Sequence, residues 1–166
     1  MMISLIAAVG KNNVIGSNGD LPWYLPDDMA FFSKTTKGHH VLMGRKNYDS
    51  IPAKYRPLPG RVNLVVTRNR KIEEDGIQLF HTIENAVEFA KSAGEEELFI
   101  IGGGEIYMQT LSMADRLYIT HVDANPTGDA HFPKFDAKKW KTTELLNHPE
   151  DERHDFAFKI CIYDKI

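Results

Sequence analysis

The segment LPWYLPDDMAFF, residues 21–32, places two adjacent carboxylates at the start of an apolar helical pattern. Asp27 is positioned to cap that helix, a role that requires only a short side-chain acceptor. Asp28 lies one turn before Phe32 on the same helix face, so its carboxylate should be poorly hydrated and its pKa should rise. Such a group can hold a cationic heterocycle or manage a proton. The alternative is that both aspartates only cap the helix.

A glycine-rich turn is the second chemical feature. The segment FIIGGGEIY joins an apolar run to a helical pattern through three consecutive glycines, 102–104. Glycine lets the backbone come close to a ligand, and the free N–H groups of a helix start attract phosphate. Tyr107 occupies the place of the last glycine in G-x-G-x-x-G, so this is not the usual dinucleotide motif. A plain turn rarely needs three glycines, which favours a phosphate or pyrophosphate site.

Two pairs of phosphate-binding residue types follow other apolar runs. In LMGRKNYDS, Arg45 and Lys46 come after Gly44, and VVTRNR places Thr67 and Arg68 after a strand-like run. Cations at a helix start oppose the helix dipole unless an anion is bound, and a guanidinium binds phosphate well. Each pair alone is typical of a solvated surface. Both pairs beside a glycine turn favour an extra nucleotide phosphate, and therefore NADPH over NADH.

Several other chemistries lack their sequence signatures. The cysteine and histidine residues do not have zinc-site spacing, and His39 and His40 cannot form the i, i+4 pair of a metal-binding helix. There is no G-x-S-x-G elbow and no P-loop, so no resident metal is expected. Cys161, the single cysteine, lies in an alternating run and is expected to be an inert sheet residue.

An α/β fold must position these residues. Apolar runs without alternation indicate strands buried on both faces of a largely parallel sheet: ISLIAAV, HVLMG, VNLVVT, ELFIIGG and RLYITHV. Helical patterns lie between them: DDMAFFSKTTKG, RKNYDSI, IENAVEFAKSAG and EIYMQTL, with Thr82 as a cap and Gly94 as a stop of the third. WKTTELLN and HDFAFKICIYD predict an antiparallel C-terminal hairpin. Ligands bind beyond the carboxyl ends of strands, so the motifs should meet at one crevice.

Bulk properties set the remaining expectations. The 166 residues fit one domain over 1–166, and a net charge of −3 argues against nucleic acid and anionic membranes as partners. The apolar start MMISLIAAVG has no basic leader and is far shorter than the ~20 residues of a membrane span, so the protein should work in the cytoplasm.

Met29, Met43 and Met108 are expected in the core. The loop around Asn18 and Gly19 is either a lid or a plain surface connection.

Seven segments carry a family resemblance when they are read in order: MISLIAAVGKNNVIG, LPWYLPDD, MGRKNYDSI, RPLPGR, IIGGGEIY, YITHVDA and GDAHFP. The chain resembles dihydrofolate reductases, in their short bacterial chromosomal form. The resemblance implies an eight-stranded, mostly parallel sheet with flanking helices. It also implies the reduction of 7,8-dihydrofolate to tetrahydrofolate by hydride transfer from NADPH C4 to pterin C6, which supplies one-carbon metabolism and thymidylate and purine synthesis.

The resemblance further implies roles for individual residues on the substrate side. Asp28 would bond the pterin amino group and N3 and promote protonation at N5, Thr120 would bond that carboxylate, and Trp23 would hold an ordered water. Leu21 would stand beside them and contribute to the pterin and benzoyl pocket, which would also be lined by Ile6, Ala8, Phe32, Ile51 and Ile101. Arg61 would pair with the glutamate carboxylate of the substrate.

On the cofactor side, the resemblance implies three contact regions. The nicotinamide would meet Ala8, Ile15 and Gly16. The pyrophosphate and ribose would be held by Ile101, Gly102, Gly103, Gly104, Glu105, Ile106 and Tyr107, with a cis peptide between Gly102 and Gly103. The adenine end and 2′-phosphate would be read by Arg45, Thr67 and Arg68, and Gly44, Lys46 and Asn47 would also contact the cofactor. Asn47 stands where many members have Thr or Ser, and IPAKYRPLPGR is longer than the shortest bacterial versions.

The expected partners are small molecules, namely dihydrofolate and antifolate inhibitors such as diaminopyrimidines, with the chain acting as a monomer. Two alternatives remain open. A riboflavin-pathway reductase shares the sheet and the use of NADPH, but it does not explain LPWYLPDD or THVDA. A non-catalytic NADPH-binding module keeps the glycine turn and basic pairs, but it gives no reason for Asp28 to face Phe32.

Overall fold

A computed structural model of the protein describes residues 1–16, 22–69 and 74–166. Its main sheet has eight strands in the order β5-β4-β3-β6-β1-β7-β10-β9. The first six strands in this order are parallel to one another. Strand β10 is antiparallel to both of its neighbours, β7 and β9. The predicted sheet and its C-terminal hairpin are therefore confirmed. The strands are β1 (Met2–Val9), β3 (His40–Gly44), β4 (Val62–Val66), β5 (Ile77–Phe80), β6 (Glu97–Gly102), β7 (Arg116–Val122), β9 (Trp140–His148) and β10 (Phe158–Lys165).

The five apolar runs all form strands of this sheet, and the two alternating runs form its hairpin. Strand β5 was not predicted from the apolar runs because it has only four residues and lies at the sheet edge. A second sheet pairs two short strands, β2 (Val14–Gly16) and β8 (Ala130–His131), beside the carboxyl ends of the main strands.

Within the described residues four α-helices connect the strands, and the third begins and ends as predicted. They are α1 (Pro26–Thr36), α2 (Arg45–Ser50), α3 (Ile83–Ser92) and α4 (Gly104–Thr110). The Thr82 hydroxyl caps α3 by accepting a hydrogen bond from the Asn85 amide at 3.1 Å. Gly94 follows the helix end with φ +83°, a backbone region that glycine occupies without strain.

The predicted cap of α1 is wrong. The helix begins at Pro26, whose fixed φ and missing N–H suit the first helical position, so Asp27 already lies inside the first turn. The Asp27 amide instead donates to Nε2 of His154, 3.1 Å away and 127 residues along the chain. The N-terminus of α1 is thus capped by a distant side chain, which no local pattern reveals.

Apolar layers cover both faces of the sheet because alternate residues of each strand point to opposite sides. Leu5 and Leu42 join the layer beneath α3 and α4, whereas the neighbouring Ile6 and Met43 join the layer that includes Phe31 and Phe32 of α1. Cys161 is buried in the sheet, as expected.

Only one of the three methionines expected in the core lies there. Met43 is fully buried, but Met29 and Met108 are 50% and 68% exposed. Both of these lie on helices that are covered on one side only, so an apolar sequence neighbourhood does not guarantee burial there. No helix in the described ranges has an apolar stretch long enough to cross a bilayer.

Candidate active site

The carboxyl ends of the central strands lie together at one edge of the sheet. Strand β1 lies between β6 and β7, and β3 lies on the other side of β6, with all four strands parallel. The chain therefore brings Gly44, Gly102 and Thr120 to the same edge of the sheet, although they are widely separated in sequence. Helix α1 carries Asp28 to this edge from outside the sheet.

The carboxylate of Asp28 is held by the hydroxyl of Thr120. Thr120 Oγ1 donates to Asp28 Oδ1 at 2.6 Å, and Thr120 itself is buried in β7 beside Ala8 of β1. Burial raises the pKa of Asp28, and the hydrogen bond from Thr120 opposes that rise without cancelling it. The raised pKa predicted from the helical spacing of Asp28 is therefore confirmed. The group can exchange a proton closer to neutral pH than an ordinary aspartate can.

Apolar residues flank Thr120, the partner of this carboxylate, on both neighbouring strands, with Ala8 on β1 and Ile160 on β10. Trp23 is 8% exposed and packs in a cluster with Leu25, Val122, Ala124, Phe158 and Ile160, against which Ala8 also packs. The residues predicted for the rest of the pocket fall in one other cluster, in which Ile6 and Ile101 are buried and Phe32 and Ile51 are partly buried. Leu21 lies outside the described residues, as does most of the predicted lid loop.

Arg61 lies at the far end of α1 from Asp28. Its Nε donates to the Pro59 carbonyl at 2.9 Å and its Nη1 donates to Thr36 Oγ1 at 3.1 Å, which fixes the guanidinium plane. Burial lowers the pKa of Arg61 from its very high ordinary value, so the group stays charged. It lines an open groove together with Ser33, Lys34, Lys37, Pro59 and Gly60. This groove is suited to an anionic group.

The glycine turn between β6 and α4 is shaped by close packing on two sides. The Gly102–Gly103 peptide is cis, as the resemblance implied, and Gly102 has φ +113°. A Cβ on Gly102 would lie 3.0 Å from the Tyr107 ring, and one on Gly104 would lie 2.9 Å from the His131 carbonyl oxygen. Gly103 has no atom of the described chain within 4 Å of that position. The turn therefore presents open backbone at Gly103.

Tyr107 and Ile106 support the turn from below. The Tyr107 hydroxyl donates to the Ile6 carbonyl at 2.6 Å, and its burial raises the pKa of the phenol. Ile106 is buried beneath Gly44, where a Cβ would lie 3.1 Å from its side chain. Glu105 is exposed in the first turn of α4. Two of these predicted contact residues thus also have structural roles.

Arg45 begins α2 beside the glycine turn and is only partly paired. Its Nε lies 3.0 Å from Asp49 Oδ1, and its Nη2 lies 3.4 Å from Glu74 Oε2. Its Nη1 is buried and has no hydrogen-bond partner in the described part of the chain. Such an atom is costly unless a ligand satisfies it, and a guanidinium prefers phosphate or carboxylate.

The other predicted adenine-side residues lie around Arg45 in different environments. The Asn47 amide donates to the Ile101 carbonyl at 3.4 Å, a long hydrogen bond. Thr67 is buried, and its hydroxyl accepts from the Asn69 amide at 3.1 Å. Lys46 and Arg68 are exposed. On the nicotinamide side, Ile15 and Gly16 are half-buried in β2.

Sequence reasoning missed several residues that position the site. Asp49 is four residues from Arg45 in α2, a spacing that could have identified the pair. Glu74 comes from a different part of the chain and left no such signal. In the longer loop, Arg56 anchors the chain by donating to the carbonyls of Asp49 at 2.8 Å and Ile51 at 3.3 Å.

Comparisons with known proteins agree with this geometry. The family model described as "Dihydrofolate reductase" matches residues 2–165. The type 3 dihydrofolate reductase of Salmonella typhimurium is 42% identical over 157 residues, 95% of this chain and 94% of that one. The dihydrofolate reductase of Bacillus subtilis is 40% identical over 164 residues, 99% of this chain and 95% of that one.

A solved structure supports the same assignment. It is the dihydrofolate reductase of Enterococcus faecalis complexed with NADP(H) and RAB-propyl, with a TM-score of 0.90 and 29% sequence identity. The similarity covers 99% of this chain and 96% of that one. With the matching family model and full-length relatives, it leads to one conclusion: this chain belongs to the dihydrofolate reductase family.

Proposed function

We propose that the protein reduces 7,8-dihydrofolate to 5,6,7,8-tetrahydrofolate with NADPH, as a one-domain monomer in the cytoplasm that supplies one-carbon metabolism. The observation that carries this proposal is the Asp28 carboxylate, which is half-buried and partly desolvated at the carboxyl edge of the sheet and accepts a hydrogen bond from Thr120 at 2.6 Å. A non-catalytic nucleotide-binding module has no use for a desolvated acid at that position.

Asp28 would orient the substrate and manage its proton. Thr120 occupies Oδ1, so Oδ2 is the oxygen better placed to accept from the pterin amino group and N3. The raised pKa of Asp28 makes a proton available nearer to neutral pH, which favours protonation of the weakly basic N5. Trp23, buried beside this helix start, is the proposed holder of the water that carries the proton, and Leu21 would cover the pterin.

The remaining substrate contacts divide by chemistry. The apolar walls formed by Ile6, Ala8, Phe32, Ile51 and Ile101 would enclose the ring system and benzoyl group. Arg61 would bind the glutamate carboxylate, because its guanidinium is already fixed by two hydrogen bonds and faces a groove with Lys34 and Lys37. Diaminopyrimidine antifolates would use the Asp28 contact, because a protonated diaminopyrimidine presents two donors to one carboxylate.

The cofactor residues pass a test of fit to NADPH. Gly103 presents open backbone where a pyrophosphate can approach, and the buried Arg45 Nη1, which has no partner among the described residues, can donate to a 2′-phosphate. NADPH would supply the hydride that passes from its C4 to pterin C6. The holding residues would be Ile15, Gly16, Gly44, Lys46, Asn47, Thr67, Arg68, Gly102, Gly104, Glu105, Ile106 and Tyr107. Their part is to fix the two rings in contact, which removes much of the entropic barrier.

An absorbance assay tests this function directly. Purified protein is mixed with NADPH and either dihydrofolate, a pyrimidine substrate of the riboflavin pathway, or no acceptor. We expect NADPH oxidation with dihydrofolate only. Oxidation with the pyrimidine substrate alone would assign the other reductase chemistry, and tight NADPH binding without turnover would indicate a binding module.

A variant pair connects the activity to the site. Asp28→Asn should lose turnover while binding NADPH with nearly unchanged affinity, because the residue lies on the substrate side. Asp155→Asn, which changes an exposed carboxylate in the β9–β10 connection, is the matched control and should keep full activity. Full activity in Asp28→Asn would contradict the role given to Asp28.

A further inference from the structure

Three side chains of metal-ligating type converge at the first turn of α1. Asp27 lies in the first turn of α1, His148 ends β9, and His154 lies in the connection to β10. One ligand atom from each lies within 4.8 Å of the others. No zinc-site spacing is visible for this set because Asp27 is more than 120 residues from both histidines in the chain.

The separations are close to those in a filled metal site. Nε2 of His148 lies 3.1 Å from Asp27 Oδ2, and Nε2 of His154 lies 3.8 Å from the same oxygen. Zn²⁺ takes nitrogen and oxygen ligands at roughly 2.0–2.2 Å, which places tetrahedral ligand atoms about 3.4 Å apart. The two separations from Asp27 Oδ2 therefore lie within a few tenths of an ångström of that value, and the ligand atoms of the three residues all lie within 4.8 Å of one another.

The remote nitrogens of both histidines are anchored as they are in metal sites. Nδ1 of His148 lies 2.6 Å from the Pro149 carbonyl oxygen, and Nδ1 of His154 lies 2.8 Å from Asp151 Oδ1. Each partner is an acceptor, so each Nδ1 carries a hydrogen, and Nε2 is the ring nitrogen that faces Asp27. A carbonyl or carboxylate behind Nδ1 is the usual support of a metal-binding histidine.

The facing pair His148 Nε2 and Asp27 Oδ2 requires a cation. In the neutral tautomer both atoms are acceptors, and two acceptors 3.1 Å apart repel each other unless a proton or a metal ion lies between them. The rings are also held in place. His148 stacks on Phe158 with an interplanar angle of 7°, and the side chain of His154 is 1% exposed.

Two neighbouring groups compete with a metal ion. The Asp27 amide donates to His154 Nε2 at 3.1 Å, and that hydrogen bond would be exchanged for coordination. Arg153 Nη1 lies 3.9 Å from Asp27 Oδ1, but its side chain is 69% exposed and can turn into solvent. Asp151 Oδ2, 3.8 Å from His148 Nε2, adds a second negative charge beside the three residues.

We propose that Asp27, His148 and His154 form a binding site for a divalent first-row metal ion of the Zn²⁺ type, with water or Asp151 at the fourth position. Two imidazoles and a carboxylate suit zinc and its neighbours rather than calcium or magnesium. A bound ion would join the β9–β10 connection to the first turn of the helix that carries Asp28. The site would therefore stabilise α1 without contacting the substrate.

Zinc titration of the chelator-treated full-length protein tests the proposal. By calorimetry, wild type should bind one Zn²⁺ per chain, and His148→Gln and Asp27→Asn should each weaken binding at least tenfold. His131→Gln, which changes an exposed histidine in β8, should bind as wild type does. Bound Co²⁺ should give the visible absorption of tetrahedral coordination in wild type and lose it in both site variants.

Folding of the variants is checked separately. The Asp27 side chain is 45% exposed, so Asp27→Asn should keep the wild-type circular dichroism spectrum even if His148→Gln is destabilised. A folded Asp27→Asn protein that binds Zn²⁺ as tightly as wild type would overturn the proposal. Wild-type protein without stoichiometric Zn²⁺ binding would also overturn it and would leave a proton as the cation between His148 and Asp27.

Discussion

A carboxylate with little exposure to water lies at each end of the central sheet. The two carboxylates differ in the number of hydrogen bonds that they accept. At the carboxyl ends of the strands, Asp28 accepts one hydrogen bond within the described structure, from Thr120. At the amino ends, Glu95 accepts from the amide and Nδ1 of His40, from Nδ1 of His39, and from the amides of Glu96 and Glu97. Its side chain is 7% exposed.

The difference in donors reverses the sign of the pKa shift. Burial raises the pKa of both carboxyls, but at Glu95 the hydrogen bonds together outweigh burial and bring the pKa to about 2. A well-satisfied carboxylate stabilises the fold, whereas an under-satisfied one keeps the capacity to bind and react. The amino end of the sheet is therefore arranged for stability, and the carboxyl end retains unmet hydrogen-bonding capacity.

The largest expected effect is the loss of activity in Asp28→Asn. General acid–base contributions are typically on the order of 10²–10⁴-fold, and the turnover of this variant should fall by that range. Its stability should move in the opposite direction. Because the folded pKa of Asp28 is raised, ionising it costs stability above its unfolded pKa, and asparagine removes that cost. Steady-state kinetics and urea unfolding at pH 7 measure the two quantities. A variant that kept its turnover but became less stable would break the comparison.

Glu95→Gln should give the reverse pattern. The folded pKa of about 2 lies below the ordinary 4.5, so ionised Glu95 contributes stability above pH 4.5 that is lost as the pH falls toward 2. At pH 7 the free energy of unfolding should therefore fall by about 2–3 kcal/mol, a figure that is already reduced for solvent screening. The kcat and KM of the folded enzyme should not change. Urea unfolding at pH 7 and near pH 3 checks the size of the loss and its disappearance in acid.

A neighbouring residue provides the control for that experiment. Glu96 is exposed beside Glu95, so Glu96→Gln should leave stability at pH 7 nearly unchanged. Equal losses in the two variants would indicate a general charge effect rather than the buried hydrogen bonds of Glu95.

Local sequence patterns predicted the elements and the environment of Asp28 but not the partners of either carboxylate. Strand runs and helical spacing depend on neighbours within a few residues, so β1, β3, β4, β6 and β7 could be read directly. Glu95 meets His39 and His40 only because β3 pairs with β6, about 55 residues away in sequence. The same reason explains the missed contact between Asp27 and His148 and the wrongly predicted cap.

The resemblance supplied what the patterns could not. Thr120 is 92 residues from Asp28, and no periodicity joins them, yet the family motif THVDA placed them together, as the structure does. The burial of individual side chains was predicted least accurately from residue type. Met29 and Met108 have apolar neighbours, but each lies on a helix that the core covers from one side only.

A smaller effect is expected at Thr120, the one residue of the described chain that donates to the Asp28 carboxylate. Thr120→Val removes a hydrogen bond to a charged group, so the pKa of Asp28 should rise further and the associated midpoint of the kcat/KM profile should move up by about one pH unit. The value of kcat/KM at pH 7 should change roughly tenfold. Thr120→Ser keeps the hydroxyl and should restore the wild-type profile. A profile that stayed in place in Thr120→Val would mean that this hydrogen bond does not tune Asp28.

The smallest expected effect concerns Arg45, where the carboxyl end again leaves a group under-satisfied. Its Nε and Nη2 are paired with Asp49 and Glu74, but the buried Nη1 is not paired within the described chain. Arg45→Gln should therefore cost little stability, and it should lower the preference for NADPH over NADH by roughly three- to tenfold through the loss of a phosphate contact. The ratio of kcat/KM for the two cofactors measures this preference.

Arg45→Lys keeps the charge without the planar fork, and its cofactor preference should fall between those of wild type and Arg45→Gln. If the ratio did not move while stability fell by more than about 1 kcal/mol, Arg45 would resemble Glu95, as a group whose hydrogen bonds serve the fold.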